Sequence, residues 1–290
     1  MSASVRELGI TLGEKCNFRC RHCATASQAP HELSPKEIGL IRDTIMEFGV
    51  KAVLLAGGEP TLYVAKANKI LRGLPGLSGF RVRMTTNGHF GDSLGKAIKT
   101  LKSFIRLTSV QVSYDRYHAE FLPINNIANI SQACKELGID FSVSFCVSNP
   151  LDVALVAELK KIGSFRVGIQ KVLPVGAAAR NLLGYKHPSF DEGVLGKKCP
   201  RIGKMMYLGG CGFSVCCSSL VLGDKKKVFS HPTLQGHMES LFYRLITGKT
   251  FKGIAKFLKV PETSLEPIHS DPCTLCSYLF LGKNAETLFT

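Results

Sequence analysis

Leu8-Gly9-Ile10-Thr11-Leu12 runs within four residues into Cys16-Asn17-Phe18-Arg19-Cys20-Arg21-His22-Cys23, an apolar-rich stretch followed by three closely spaced cysteines. The first run reads as a strand, and loops at the C-terminal ends of strands are where α/β barrels carry their chemistry. Gaps of three and two residues let three thiolates converge on one polynuclear metal site. A 4Fe-4S cluster takes four ligands, so a three-cysteine loop leaves one iron free to bind something else. Zinc sites usually pair cysteines with a second pair further on, and here only His22 offers a nearby fourth donor.

Residues 52–55 read as a second strand and lead straight into Gly57-Gly58-Glu59-Pro60. Two glycines there allow close backbone approach to a ligand, and the glutamate adds a carboxylate acceptor. Following the three-cysteine loop on the first strand, this segment makes the chain resemble the radical S-adenosylmethionine (radical SAM) superfamily. The resemblance implies that Cys16, Cys20 and Cys23 hold a 4Fe-4S cluster whose open iron takes S-adenosylmethionine. It further implies that Gly57, Gly58, Glu59 and Pro60 line the methionine end of that cofactor. His22 falls where the family places an aromatic residue near the adenine.

Strand-like runs at 8–12, 52–55, 80–85, 109–113, 139–147 and 165–172 alternate with helix-like segments at 34–48, 64–74, 93–104, 124–137 and 153–162. Right-handed crossovers turn such alternation into a curved parallel sheet. The resemblance extends this α/β reading to a partial (β/α)6 TIM barrel over residues 1–184. Polar residues at strand ends suit a bound cofactor. By resemblance Asn87, Ser113 and Ser144 are S-adenosylmethionine contacts, and the segment from Val172 to Arg180 flanks the adenine.

After Gly184 the alternation stops and six more cysteines appear. Residues 205–208 and 213–217 read as a hairpin through Gly209-Gly210, and 236–258 contains a helix. Such a region has little core of its own, which a metal site would supply. Residues 185–290 resemble the twitch or SPASM-like domain of radical SAM enzymes, a small cysteine-rich α+β unit. The resemblance implies a second, auxiliary 4Fe-4S cluster held by Cys199, Cys217, Cys273 and Cys276. The choice between Cys216 and Cys217 stays open, with the position of Gly212 favouring Cys217. Cys134 and Cys146 read as buried structural thiols.

Of 290 residues, 45% are hydrophobic, enough for one large domain and a small one. No apolar run reaches the roughly 20 residues of a membrane span and no signal peptide is evident, so the expectation is a soluble cytoplasmic protein. Eleven cysteines, an odd number, fit reduced iron-binding thiols better than disulfides. The net charge of +15 implies anionic partners. Its lysines are dispersed except at Lys225-Lys226-Lys227, and no RNA-binding motif appears, which argues against a nucleic-acid groove.

The resemblance implies reductive cleavage of S-adenosylmethionine, with the electron delivered by reduced flavodoxin or ferredoxin. The resulting 5'-deoxyadenosyl radical abstracts a hydrogen atom from a substrate carbon. An auxiliary cluster that accepts an electron would make the net reaction an oxidation. A thiol that returns a hydrogen atom would make it an epimerisation, and Cys211 and Cys216, left without a ligand role, are the candidate donors. The expected substrate is a small hydroxylated molecule such as an aminocyclitol or sugar. A peptide is the alternative substrate, and a non-catalytic iron-sulfur protein binding through its basic face is the alternative of another class.

Overall fold

Six strands alternate with five helices: β1 (Glu7–Thr11), α1 (Pro35–Glu47), β2 (Ala52–Ala56), α2 (Val64–Arg72), β3 (Arg81–Thr86), α3 (Leu94–Lys102), β4 (Leu107–Ser113), α4 (Ile124–Leu137), β5 (Asp140–Val147), α5 (Ala154–Ile162) and β6 (Arg166–Lys171). The computed structural model describes residues 5–25, 30–72, 74, 79–222, 228–286 and 288–289. The Lys225-Lys226-Lys227 block lies outside the described residues. Local chemistry sets the helix ends. Ser34 and Glu37 form a reciprocal capping box with Pro35 at the first helical position of α1, and Gly138 ends α4 in the left-handed conformation at φ 65°. Isoleucines at 38, 41 and 45 give α1 one apolar stripe, which is buried against the sheet.

Strands β1 to β6 pair in sequence order and all in parallel. With their helices they form the partial (β/α)6 TIM barrel, and the strand ends converge on one mouth. Beyond β6 a single helical turn, α6 (Ala177–Arg180), folds back over the cysteine loop. The Ala177 N–H donates to the Cys23 carbonyl at 2.8 Å, and the Asn181 side chain donates to the Arg21 carbonyl at 2.8 Å.

The hairpin β7 (Lys204–Leu208) and β8 (Gly212–Ser214) extends the same sheet. β7 runs parallel to β1, with Leu8 opposite Met205 and Ile10 opposite Tyr207, giving the order β6-β5-β4-β3-β2-β1-β7-β8. The single helix read over 236–258 is instead three: α7 (Leu234–Glu239), α8 (Leu241–Gly248) and α9 (Phe251–Phe257). Ser240 and Thr250 interrupt it, because their hydroxyls accept N–H bonds from Tyr243 and Gly253 and so start new helices. A last long helix, α10 (Pro272–Leu281), starts at the Asp271 cap.

The region, expected to have little core of its own, contributes many buried apolar side chains to a shared one. Phe229, Phe242 and Phe280 interlock with ring centroids 5.0 Å apart along Phe229–Phe242 and Phe242–Phe280, and Phe213, Phe251, Ile246, Leu275 and Leu279 are buried with them. These side chains are continuous with the barrel core.

Candidate active site

The thiols of Cys16, Cys20 and Cys23 gather at the C-terminal end of β1. Burial pushes the Cys20 thiol up to about 12, and the nearness of Cys23 and Cys16 adds to it. The Cys16 sulfur accepts the Phe18 N–H at 3.4 Å and the Asn87 side-chain amide at 3.5 Å. Three sulfurs brought together, that of Cys20 buried and that of Cys16 already supplied with N–H donors, form a donor set suited to iron, because a cluster neutralises the repelling thiolates.

Beside them opens a cavity of about 410 Å³. Its lining includes Cys16, Cys20, His22, Cys23, Gly57, Gly58, Asn87, Ser113 and Ser144, so the mouth brings these sequence-predicted residues together. A cavity of this size lies within the roughly 300–1,000 Å³ range of small-molecule sites. Ser144 accepts a hydrogen bond from Gln170 at 2.7 Å, and the Asn87 amide also donates to Asn17 Oδ1 at 2.8 Å.

Glu59 and Pro60 do not line this cavity. The Glu59 carboxylate is fully buried and spoken for. Its Oε1 accepts the Thr61 N–H at 3.1 Å and the Thr61 and Thr86 hydroxyls at 2.7 Å each, and its Oε2 accepts the Asn87 N–H at 2.8 Å. Glu59 therefore locks the end of β3, while Pro60 begins the short helical turn that Glu59 caps. The glycines serve the backbone as well. Gly57 has φ 141°, and a Cβ on Gly58 would sit 2.0 Å from the Lys15 carbonyl oxygen. This close approach lets the Gly58 and Glu59 N–H groups donate to the Gly13 and Lys15 carbonyls at 2.8 and 2.9 Å, clamping the second strand end onto the cysteine loop.

His22 and Asp115, each offered by the sequence as a separate cofactor-side residue, join His118 in one polar cluster that the sequence reading did not assemble. Asp115, fully buried just past β4, lies 3.2 Å from His22 Nε2 and 3.0 Å from His118 Nδ1, and His22 stacks on Tyr117 at 4.5 Å. Burial opposes its charge, yet the contacts with His118 and His22 hold the Asp115 carboxyl well below the usual range. These contacts are close but poorly aligned, leaving Asp115 Oδ2 and His118 Nδ1 buried without a hydrogen-bond partner at the cavity wall, and His22 Nδ1 is likewise unsatisfied. Unsatisfied buried atoms facing a cavity suit a polar ligand. Cys146 also lines this cavity, so its thiol faces the mouth as well as the strand packing assigned to it.

The C-terminal cysteines gather behind the mouth. Cys199, Cys216, Cys217, Cys273 and Cys276 border a small cavity of about 30 Å³. Burial raises the Cys276 thiol strongly, and Cys216, Cys199 and Cys273 add to it. Cys217 is exposed and, with Cys273, lines the 410 Å³ mouth cavity as well. Cys211 sits in the β7–β8 turn and lines neither cavity, so the placement expected of a hydrogen donor is not found there. Arg180 is exposed on α6.

No helix among the described residues is long and apolar enough to cross a membrane. Residues 10–147 match the profile of the Radical SAM superfamily. A Sulfurisphaera tokodaii protein named "Probable GTP 3',8-cyclase" is 37% identical over 98 residues, covering 33% of this chain and 31% of its own length. The chain thus spans about a third of that relative. The Bacillus subtilis "Putative peptide biosynthesis protein YydG" is 22% identical over 299 residues, covering 95% of this chain and 92% of its own length. Among solved structures, Streptococcus suis SuiB bound to precursor peptide SuiA superposes with a TM-score of 0.49 at 14% identity, over 85% of this chain and 67% of that one.

Proposed function

We propose, for a chain that carries a radical SAM domain at residues 10–147, that the substrate is a peptide from which a hydrogen atom is removed at one carbon. When bound, the 4Fe-4S cluster and S-adenosylmethionine supply an electron and, through carbon-sulfur cleavage, a 5'-deoxyadenosyl radical that takes that atom. In this reading Cys16, Cys20 and Cys23 hold the cluster. Gly57, Gly58, Asn87, Ser113, Ser144 and His22 surround the cofactor, and Glu59 positions Asn87. A small cysteine-rich unit over residues 185–290 holds the auxiliary 4Fe-4S cluster. An acidic one-electron carrier of the flavodoxin or ferredoxin class suits the +15 surface.

One observation carries the peptide reading. Lys171, Val172 and Leu173 line both the mouth cavity and a separate groove of about 510 Å³, walled by Pro174, Leu182, Leu183, Tyr185, Pro267 and Ile268. That groove lies at the end of β6, the terminal strand of the sheet, whose residues are mostly exposed. An extended chain can add to a sheet edge and seat side chains in apolar pockets while one residue enters the mouth. A small sugar would leave such a groove unused. The near full-length likeness to YydG, over 95% of the chain, supports the same substrate class, whereas the cyclase likenesses cover 33% and 59% of it.

The test is anaerobic reconstitution with iron and sulfide, then dithionite and S-adenosylmethionine with either a pooled library of linear peptides or a panel of aminocyclitols and sugars. Release of 5'-deoxyadenosine stimulated by peptides is expected. Stimulation by the sugar panel alone would replace this reading with oxidation or epimerisation of a small hydroxylated metabolite, and silence with every addition would favour the non-catalytic one.

A further inference from the structure

Cys216 and Cys217 lie just past β8, beyond the bend at Val215, and the two neighbours differ in exposure. The consequence here is a division of the pair. Cys216 is half-buried and turned inward, and its sulfur accepts the Ser218 N–H at 3.4 Å, as suits a sulfur that carries negative charge on a metal. Cys199 reaches it from the segment before β7. Cys273 and Cys276 reach it from α10, where a spacing of three places both on one helix face. Cys217 is exposed and lines the mouth cavity. It arrives there with Ser218 and Leu222, from the C-terminal part of the chain, whereas the candidate cofactor residues come from the ends of β1 to β5.

We infer that Cys216, with Cys199, Cys273 and Cys276, completes the auxiliary four-thiolate site, and that Cys217 is a hydrogen-atom donor to the substrate radical, making the reaction an epimerisation. The donor role rests on the peptide reading above; the ligand role does not. In the donating step the Cys217 S–H bond breaks homolytically and a C–H bond forms on the substrate carbon, from the side opposite to abstraction. A sulfur radical remains on Cys217. One electron from a reduced iron-sulfur or flavin carrier and one solvent proton restore the thiol, so the substrate is neither oxidised nor reduced.

Two measurements need no substrate. Iron and sulfide per chain after anaerobic reconstitution should be roughly eight for the parent and for Cys217→Ala, and roughly four for Cys216→Ala. The reverse pattern would overturn the ligand assignment. Iodoacetamide applied to the iron-loaded protein should alkylate Cys217 and spare Cys216, with S-adenosylmethionine slowing the labelling; protection of Cys217 without cofactor would overturn its placement in the mouth.

The third measurement uses the pooled linear peptides in D2O. A turned-over peptide should gain one deuterium at an inverted residue with the parent protein, and neither deuterium nor inversion with Cys217→Ala. Deuterated, inverted product from that variant would sink the donor role and move attention to Cys146. No peptide-dependent 5'-deoxyadenosine from either protein would sink the peptide reading and the donor role together, while the iron counts would still decide the ligand.

Discussion

The Asn87 N–H donates to Glu59 Oε2 at 2.8 Å, tying the residue that touches the Cys16 sulfur to a carboxylate that is completely buried. An acid that the sequence offers as a cofactor contact is thus a fixing pin between two strand ends. Glu59→Gln would set an amide N–H2 against the Asn87 N–H or the Thr86 hydroxyl. The expected cost is about 2–4 kcal/mol, because buried donors lose a charged acceptor. Urea unfolding checks it, and iron loading of the variant should fall in parallel as Asn87 drifts from Cys16.

Two glycines with opposite surroundings give a paired test. Gly58→Ala forces a Cβ to within 2.0 Å of the Lys15 carbonyl oxygen, so the cysteine loop must move. A loss of several kcal/mol, on the order of 3 or more, is expected with impaired iron binding. Gly39→Ala, inside α1 with nothing within 4 Å of the added carbon, should instead stabilise by about 0.5–1 kcal/mol. Equal effects of the two would contradict the clamp.

Acid sensitivity should trace partly to Glu37. Burial raises its carboxyl, but the Gly210 N–H, the Ser34 N–H and hydroxyl and His31 outweigh this and hold it at about 2. A carboxyl lowered on folding contributes stability above its ordinary value of 4.5, and that contribution is lost as pH falls from there through about 2. The size is about 3 kcal/mol at neutral pH. Glu37→Gln should be less stable at pH 7 and show a flatter decline between these limits, measured as urea midpoint against pH.

Iron removal should lower the melting temperature without unfolding the C-terminal region. The interlocked Phe229, Phe242 and Phe280 give that region an apolar interior continuous with the barrel core. Anaerobic chelation should therefore leave far-ultraviolet circular dichroism and a single cooperative melt. Loss of helix signal on chelation would mean that the metal, and not the phenylalanines, holds this part together.

The barrel was legible because strand-like runs alternate with helix-like stretches along the chain, one of the latter opening on the clear start signal Ser34-Pro35. The cysteine loop and the glycine pair were legible by spacing. What the glycines touch was not, since Gly58 meets Lys15 only after β1 and β2 pair. The cluster of His22, Asp115 and His118 escaped for the same reason: it joins two loops far apart in the chain. The adjacent Cys216 and Cys217 could not be told apart, because the direction each side chain takes depends on how β8 ends. The extent of the C-terminal core was missed because its phenylalanines come from separate elements, Phe213 from β8, Phe242 from α8, Phe251 from α9 and Phe280 from α10.

The outermost strand of this sheet has consequences before any substrate arrives. A bare rim of backbone amides invites a second copy of the same protein to zip alongside, the usual route to aggregation. Arg166 and Lys171 stand exposed at its two ends. Like charges would repel a sister molecule while tolerating an acidic visitor, so concentrated, low-salt stocks should stay monodisperse where high-salt ones cloud.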